Sequence, residues 1–185
     1  IMCVLENGHM GQLYYGKRIH DKPDFSYLVE KCGRPMTSYI FEGDRSFSLE
    51  HIRQEYPVYG TTDYRHPAIE IMQENGSNIS EFKYVGYEIL KGKPSLKGLP
   101  ATYTESEEEA ETLKIILKDS LTGAKLTLLY TIFSKGSAIA RSAHICNEGE
   151  KVLHLQTMMS LNLDLPDKDY VWMQLSGAWS RERYV

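Results

Sequence analysis

The apolar residues of the chain fall in short runs that are separated by turn-forming residues. Two of these runs flank a Gly-containing turn at residues 118–123, which is the pattern of a β-hairpin. Leucines then occupy every second position from Leu161 to Leu165, the period of a half-buried strand. In this half of the chain we therefore predict strands at residues 112–117, 125–133, 138–146, 152–155 and 158–165, with another beginning in 170–175.

The first half shows the same pattern less regularly, with predicted strands at residues 11–16, 67–73 and 80–90. Residues 21–45 and 91–100 read as loops, and the acidic run Glu105–Glu111 reads as a solvated loop. Sustained helical periodicity is missing from the sequence. We therefore predict an all-β fold, an antiparallel β-sandwich formed by residues 1–185 as a single domain.

Composition limits the classes of partner. The chain has 185 residues, of which 42% are hydrophobic and 25% charged, and its net charge is −4. This acidic balance argues against a nucleic-acid partner, and the sequence has no apolar run of the roughly 20 residues that a membrane span needs. Cys3, Cys32 and Cys146 are far apart and lack metal-ligand spacing, so we expect reduced thiols in a cytoplasmic protein without a bound metal.

The familiar catalytic motifs GxSxG, GxxxxGK[ST] and HExxH are absent from the sequence. Two segments nevertheless carry unusual chemistry: Gln54–Ala68, with three tyrosines among Pro, Gly, Asp and Arg, and Leu175–Val185, with a Trp and two Arg. The tyrosine segment has two interpretations. It is either a rigid turn in which Asp and Arg pair, or a surface on which Tyr56, Tyr59 and Tyr64 contact a partner or a sugar.

These two segments also carry a resemblance to a known family. "FSLEHIRQEYPVYGTTDYRHPAIEI" (47–71) and "LSGAWSRERYV" (175–185) closely resemble the amino-terminal domain of bacterial α-galactosidases of glycoside hydrolase family 36. "GHMGQLYYGKRI" (8–19), "LKGLPATYTESEEEAETLKIIL" (96–117) and "IARSAHICNEG" (139–149) are similar to it as well. The motifs occur in the family's order through essentially the whole chain.

The resemblance implies a parent enzyme with an N-terminal β-supersandwich, a (β/α)₈ barrel and a C-terminal β domain. Such enzymes remove terminal α-linked galactose from sugars such as melibiose and raffinose with retention of configuration, using two Asp on the barrel. We therefore expect no catalytic residue and no cofactor in this chain. Ile1 is not an initiator, and we expect both ends to be cut, with Val185 inside the first domain. The implied partners are α-galactoside oligosaccharides, the protein's own barrel and further copies of itself.

The resemblance also implies two substrate-binding residues. In oligomers of the family, N-terminal-domain loops of a neighbouring subunit close the sugar pocket. Arg45 lies in the shared motif "GDRSFSLE", and Glu30, after Leu28-Val29, takes the place of an acidic residue in the long loop. An Arg can donate several hydrogen bonds to sugar hydroxyls, and a carboxylate can accept them. The alternative is that Arg45 pairs with Asp44 or Glu42 and only stiffens the loop.

Two other functions remain open from the residues themselves. The chain could act alone as a carbohydrate-binding sandwich that uses exposed tyrosines. It could also be a structural or oligomerisation domain, since unpaired strand edges invite pairing with another chain.

Overall fold

The structure, a computed structural model, describes residues 1–32, 47–98 and 101–184. These ranges contain ten strands, three single-turn 3₁₀ helices and no α-helix. The 3₁₀ turns are Ser26–Leu28, Leu49–His51 and Glu107–Glu109, the last of which lies in the acidic run. The strands are β1 (Met2–Val4), β2 (Met10–Gln12), β3 (Ile69–Gln73), β4 (Lys83–Lys91), β5 (Ala110–Lys118), β6 (Ala124–Phe133), β7 (Ile139–Asn147), β8 (Leu153–Met158), β9 (Ser176–Ala178) and β10 (Arg181–Tyr184).

The largest layer is a four-stranded antiparallel sheet in the order β4-β5-β6-β7. The predicted hairpin is confirmed: β5 and β6 pair continuously, from Ala110 opposite Phe133 to Lys118 opposite Lys125. Asp119 shapes the turn, because its Oδ1 accepts hydrogen bonds from the backbone N–H of Leu121 at 2.9 Å and of Thr122 at 3.3 Å. Gly123 then takes a left-handed φ of 76°, which glycine adopts without steric cost.

A second layer is formed by β3 and β8, which pair antiparallel. Ile69 and Ile71 of β3 are buried in one cluster with Ile115 of β5 and with Leu126 and Leu128 of β6. Every second residue of β6 from Ala124 to Tyr130 is buried, as expected of a strand with one face in the core. The main core therefore lies between two antiparallel sheets, and the predicted all-β sandwich is confirmed.

Two small hairpins are formed by the remaining strands. β1 pairs with β2, and a second core cluster of Leu5, Phe47, Leu49 and Ile52 lies beside it. β9 pairs with β10. Of the strand predicted at 11–16, only its start is in β2, because the backbone N–H groups of Leu13 and Tyr14 turn to the carbonyl of Ile1.

The predictions of strands at 158–165 and 170–175 are wrong beyond Met158, where β8 ends. Residues 159–175 contain no strand, although leucines alternate there. Their backbone groups bond to other parts of the chain: the Asn162 carbonyl accepts from Arg141, and the Asp164 N–H donates to the Gln12 side chain. In 170–175 large apolar side chains are exposed instead, with Val171, Trp172 and Met173 each more than 70% accessible.

No helix in the described ranges is long and apolar enough to cross a membrane. All three cysteines are free thiols.

His9 is the most unusual group in the packing of the sandwich. It precedes β2 and is 3% exposed, and neither ring nitrogen has a hydrogen-bond partner among the described residues. Burial lowers the pKa of His9 to about 4, and the nearby Glu81 carboxylate only partly opposes this effect. The imidazole is therefore neutral in the folded protein at neutral pH, since a charged ring would have to be desolvated.

We predict that His9 makes the protein sensitive to acid. In the unfolded chain His9 takes up its proton near pH 6.5, whereas in the folded chain it does so near pH 4. The unfolded state therefore binds more protons between these values, and the free energy of unfolding should fall as the pH falls through this window. Between pH 7.5 and 4.5 the His9 contribution amounts to about 2 kcal/mol.

Urea unfolding at several pH values measures this effect. On acidification over that range, the free energy of unfolding of the His9→Leu variant should fall by about 2 kcal/mol less than that of the unmodified protein. His154→Leu replaces an exposed histidine of β8 and serves as the control, because folding does not bury its ring. Equal slopes for the His9 and His154 variants would show that buried His9 does not cause the sensitivity.

Candidate functional site

The two residues predicted to bind substrate differ in what the structure shows. Arg45 lies outside the described residues, as do its alternative partners Asp44 and Glu42. Glu30 is described, and its side chain is 71% exposed. Its Oε1 lies 3.3 Å from Nη2 of Arg53. Glu30 is therefore accessible and is joined by an ion pair to the segment that follows the Leu49–His51 turn.

Arg53 also lines a cleft of about 250 Å³. Further polar and aromatic side chains in its lining come from the residues that follow β2 and from the irregular segment after β8, and they include Tyr14, Tyr15, Asp164, Lys168 and Tyr170. Tyrosine rings offer flat apolar faces, while the carboxylate, ammonium and guanidinium groups donate and accept hydrogen bonds. This combination suits a polar, ring-shaped ligand such as a sugar.

A tight turn at Gly60–Asp63 follows Arg53 in the chain. The backbone N–H of Gly60 donates to the Asp63 carbonyl at 2.8 Å, and the N–H of Asp63 donates back at 3.0 Å. Gly60, Thr61 and Thr62 have φ values of 107°, 50° and 72°. Positive φ is strained for a β-branched threonine, so the surrounding contacts must hold the turn in place. One such contact is the hydrogen bond from the Leu49 N–H to Thr62 Oγ1 at 3.2 Å.

Asp63 and Arg65 supply the other contacts. The buried Asp63 carboxylate accepts hydrogen bonds from Gln54 Nε2 at 2.6 Å and from Arg65 Nη2 at 2.8 Å and Nε at 2.9 Å. Arg65 Nη2 further donates to the carbonyls of Leu49 and Ile52, each at 3.1 Å. The pairing of Asp and Arg expected for a rigid turn is confirmed, and it fixes the turn against residues 49–54.

The three tyrosines of this segment do not form one surface, so the prediction of a shared contact surface is wrong for Tyr56. Tyr56 is buried, its hydroxyl donates to the Met159 carbonyl, and burial raises its pKa to about 12. Tyr59 and Tyr64 are exposed and meet edge to face, with ring centroids 5.4 Å apart and planes inclined by 73°. Only these two rings are available to a partner.

A buried charge cluster lies behind the tyrosine segment. Arg141 of β7 forms an ion pair with Glu55, with Nη1 2.8 Å from Oε1, and the two side chains are only 8% and 5% exposed. The Tyr130 hydroxyl donates to the same carboxylate at 2.7 Å. Arg141 also donates to the carbonyls of Glu55 and Asn162, each at 3.1 Å. Its guanidinium carbon lies 5.6 Å from the Tyr56 ring centroid and 5.0 Å from that of Tyr130.

Burial dominates the electrostatics of this cluster. It raises the pKa of Glu55, and the Arg141 charge and the Tyr130 hydrogen bond offset the effect only in part. It raises the pKa of Tyr130 as well, and the Glu55 charge adds to that shift. Tyr130 therefore stays protonated and acts as a donor. The cluster joins β6, β7 and residues 55–56 in one network, so its role is to position the tyrosine segment.

Sequence reasoning missed this cluster. The signal that could have found Arg141 is its place as the single charged residue in the otherwise uncharged run 138–146. Glu55 gave no such signal, because it stands in a polar segment. In the ranges that the structure describes, no group of three or more His, Cys, Asp or Glu is arranged to hold a metal ion.

Comparison with known proteins supplies the wider context. Residues 8–185 match the family model described as the glycosyl hydrolase family 36 N-terminal domain. The chain is 42% identical over 185 residues to α-galactosidase AgaA of Geobacillus stearothermophilus, and 32% identical over 186 residues to α-galactosidase Mel36A of Lactobacillus acidophilus. Both alignments cover 100% of this chain and 25% of the relative, so the chain spans about a quarter of these proteins' length.

Solved structures agree with these relatives. The crystal structure of AgaA matches with a TM-score of 0.90 and 43% identity, over 98% of this chain and 25% of that one. The α-galactosidase of Lactobacillus brevis matches with a TM-score of 0.91 and 38% identity, over 98% of this chain and 24% of that one. Variants of AgaA have been crystallised in complex with raffinose and with stachyose.

We predict that breaking the Arg141–Glu55 pair costs far more stability than breaking a surface pair. Arg141→Met should lower the free energy of unfolding by about 3–5 kcal/mol, because it leaves the Glu55 charge buried without its cation. Adding Glu55→Gln should restore part of the loss, since the unpaired charge is then removed. Urea unfolding at pH 7 measures both variants.

The matched control is Lys114→Met, which breaks the ion pair at 3.1 Å between Lys114 and Glu88, whose side chains are 30% and 52% exposed. That change should cost less than about 1 kcal/mol. If Arg141→Met lowers the free energy of unfolding no more than Lys114→Met does, the large cost expected of breaking the buried pair is contradicted.

Proposed function

The chain belongs to the glycosyl hydrolase family 36 N-terminal domain family, and on that premise we propose that it is the non-catalytic N-terminal β domain of an α-galactosidase. The observation that carries the proposal is the length of the match. AgaA shares 43% identity and a TM-score of 0.90 over 98% of this chain, yet the matched part is only 25% of AgaA. Three quarters of such an enzyme lie outside the part that this chain resembles.

We place the chemistry in that larger part. The longer polypeptide would continue into the rest of the sandwich, a (β/α)₈ barrel and a C-terminal β domain. Two barrel carboxylates about 5 Å apart would cleave terminal α-linked galactose with retention, one as nucleophile and one as acid and base. Raffinose-type and melibiose-type sugars are the proposed substrates, a choice supported by the raffinose and stachyose complexes of AgaA. The three free cysteines fit a cytoplasmic location.

We further propose that the domain supports oligomerisation and closes the sugar pocket of a neighbouring subunit through Glu30 and Arg45. Two features of the structure support this role. Glu30 is exposed, and Arg53, to which it pairs, belongs to a segment fixed by the Asp63–Arg65 network. A carboxylate held in this way can accept hydrogen bonds from sugar hydroxyls at little cost in side-chain entropy.

A second candidate function is sugar binding by the domain itself. The observation that favours it is the Arg53 cleft, which Tyr14, Tyr15 and Tyr170 line together with charged side chains. Under this alternative, calorimetric titration of the 185-residue chain with raffinose would show saturable binding, whereas the α-galactosidase proposal needs none.

We predict that hydrolysis requires the longer protein. With a chromogenic α-galactoside, the purified full-length protein should turn over substrate, and the 185-residue chain should not exceed the buffer blank. The physical reason is that retaining hydrolysis needs a carboxylate pair at fixed separation, which we place on the barrel. Turnover by the 185-residue chain would refute the proposal, as would an inactive, folded full-length protein.

We also predict that Arg45 contributes to substrate binding. In the full-length enzyme, Arg45→Ala should raise KM for raffinose by roughly several-fold, with a smaller change in kcat, because hydrogen bonds to a distal sugar act on ground state and transition state alike. Arg18→Ala, at an exposed arginine outside the proposed site, should leave KM unchanged. If the Arg45→Ala oligomer is intact and its kinetics are unaltered, Arg45 does not bind substrate and has only a structural role.

A further inference from the structure

The chain uses the same short turn at two places. The triplet Glu-Asn-Gly occurs at residues 6–8 and again at residues 74–76. In each turn the N–H of the residue before the triplet donates to the carbonyl of the residue after it, and the Gly N–H donates to the carbonyl of the residue before it, all at 2.8–2.9 Å. Gly8 and Gly76 take left-handed φ values of 88° and 82°, as expected of such a turn. We call residues 5–9 the Asn7 turn and residues 73–77 the Asn75 turn.

An asparagine that precedes a glycine can react with its own backbone. A base in the solvent removes the proton from the Gly N–H, and the nitrogen attacks the side-chain carbonyl carbon Cγ of the asparagine. The new N–Cγ bond closes a five-membered succinimide ring, while the Cγ–Nδ2 bond breaks and the departing nitrogen takes up a proton from water and leaves as ammonia. Water then opens the ring at either of its two carbonyls and gives aspartate or isoaspartate. Glycine favours the reaction, because it has no Cβ to crowd the nitrogen.

The fold holds the Asn7 turn closed. Nδ2 of Asn7, which would have to leave as ammonia, is buried. The carbonyl of Gly8 accepts a hydrogen bond from the N–H of Tyr84 at 2.8 Å, and a Cβ placed on Gly8 would lie 3.5 Å from the Lys83 side chain. The next residue, His9, is only 3% exposed. The turn therefore cannot rearrange for ring closure unless its contacts with the start of β4 are broken.

The Asn75 turn is open to solvent. Glu74, Asn75 and Gly76 are all exposed, and no described atom beyond the chain neighbours of Gly76 lies within 4 Å of the position that a Cβ on this glycine would take. The N–H of Ser77 donates to Oδ1 of Asn75 at 3.0 Å, which polarises the carbonyl that the nitrogen must attack. Only hydrogen bonds within an exposed loop tip have to open before the ring can close, and such opening costs little free energy.

The other three asparagines of the chain lack this combination. Asn78, Asn147 and Asn162 precede Ile, Glu and Leu, and the Cβ atoms of these residues crowd the attacking nitrogen. Asn78 is the nearest of them in sequence to the Asn75 turn, and its Nδ2 donates to Oε1 of Glu70 at 3.0 Å. Sequence and exposure together therefore single out Asn75.

We infer that Asn75 is a site of spontaneous covalent modification, where attack by the Gly76 nitrogen forms a succinimide that water converts to isoaspartate and aspartate, whereas the fold protects the same dipeptide at Asn7. Each product adds a negative charge beside Glu74. Isoaspartate also adds one carbon atom to the main chain of the turn. Gln73 is the last residue of β3 and pairs with β8, so the longer turn loosens the end of this strand pair. The inference does not depend on the proposed function, because the reaction uses only groups of this turn and water.

Mass spectrometry of the full-length protein tests the inference. The native protein and a guanidinium-unfolded sample are incubated at mildly alkaline pH, digested with pepsin in acid so that conversion stops, and fragmented by electron transfer, which distinguishes isoaspartate from aspartate. In the native protein Asn75 should convert at least about tenfold faster than Asn7, and both products should form. After unfolding the two rates should be comparable, since the triplets are identical. A native ratio of rates equal to the unfolded ratio, or aspartate as the sole product at Asn75, would overturn the inference.

Matched variants test the assignment to one residue. Asn75→Ser removes the carbonyl that is attacked, so isoaspartate should disappear from peptides that cover residues 70–80. Asn7→Ser makes the same change in the Asn7 turn and should leave the conversion of Asn75 unchanged. Isoaspartate that persists in residues 70–80 of the Asn75→Ser protein would place the reaction at Asn78 and overturn the inference. If either variant fails to fold, the comparison of the two turns within the unsubstituted protein still decides the question.

Discussion

The burial of one positive charge constrains how the parts of this sandwich fit together. Arg141 lies inside β7 on the core side of the sheet, and a buried cation is tolerated only when it is paired and hydrogen-bonded. Its partners come from three distant parts of the chain: the Glu55 carboxylate and carbonyl, the Asn162 carbonyl, and the rings of Tyr56 and Tyr130. The tyrosine segment and the irregular segment after β8 must therefore lie against the sheet. The main effect of the network is to restrict these loops to one arrangement, and its net contribution to stability is secondary.

Most of the strands could be predicted from the sequence, because alternation directly reflects a sheet with one buried face. The hairpin of β5 and β6 follows from two branched runs around a Gly turn, and the structure has it almost residue for residue. The same reasoning failed at Leu161–Leu165. There the alternation is present, but the neighbouring backbone groups bond to the Arg141 and Gln12 side chains and not to a strand. Alternation reports which side chains can be buried, and it does not report where the backbone finds its partners.

The candidate site was predictable where its contacts are local. The Asp63–Arg65 pair spans two residues, and turn chemistry was enough to foresee it. Tyr56 was taken for a surface ring because three tyrosines in one segment look alike. What separates it from Tyr59 and Tyr64 is a hydrogen bond to Met159, 103 positions away in the sequence. Likewise, Tyr130 and Glu55 are 75 positions apart. Such pairings are fixed by the topology of the sheets, so no pattern within one segment can reveal them.

The charge cluster also connects the sheet to the turn that follows Arg53 in the chain. Arg141 and Glu55 line a cleft whose other walls include apolar side chains of β5, β6 and β7. In such a surrounding the attraction between the two charges is stronger than in water. The Tyr130 hydroxyl and the Asn162 carbonyl bond to the pair as well, whereas Nε of Arg141 has no partner among the described residues. Glu55 directly follows Gln54, whose side chain donates to the Asp63 carboxylate. The buried pair and the Asp63–Arg65 turn therefore hold the two ends of one continuous network, and a change in either is expected to be felt at residues 49–54.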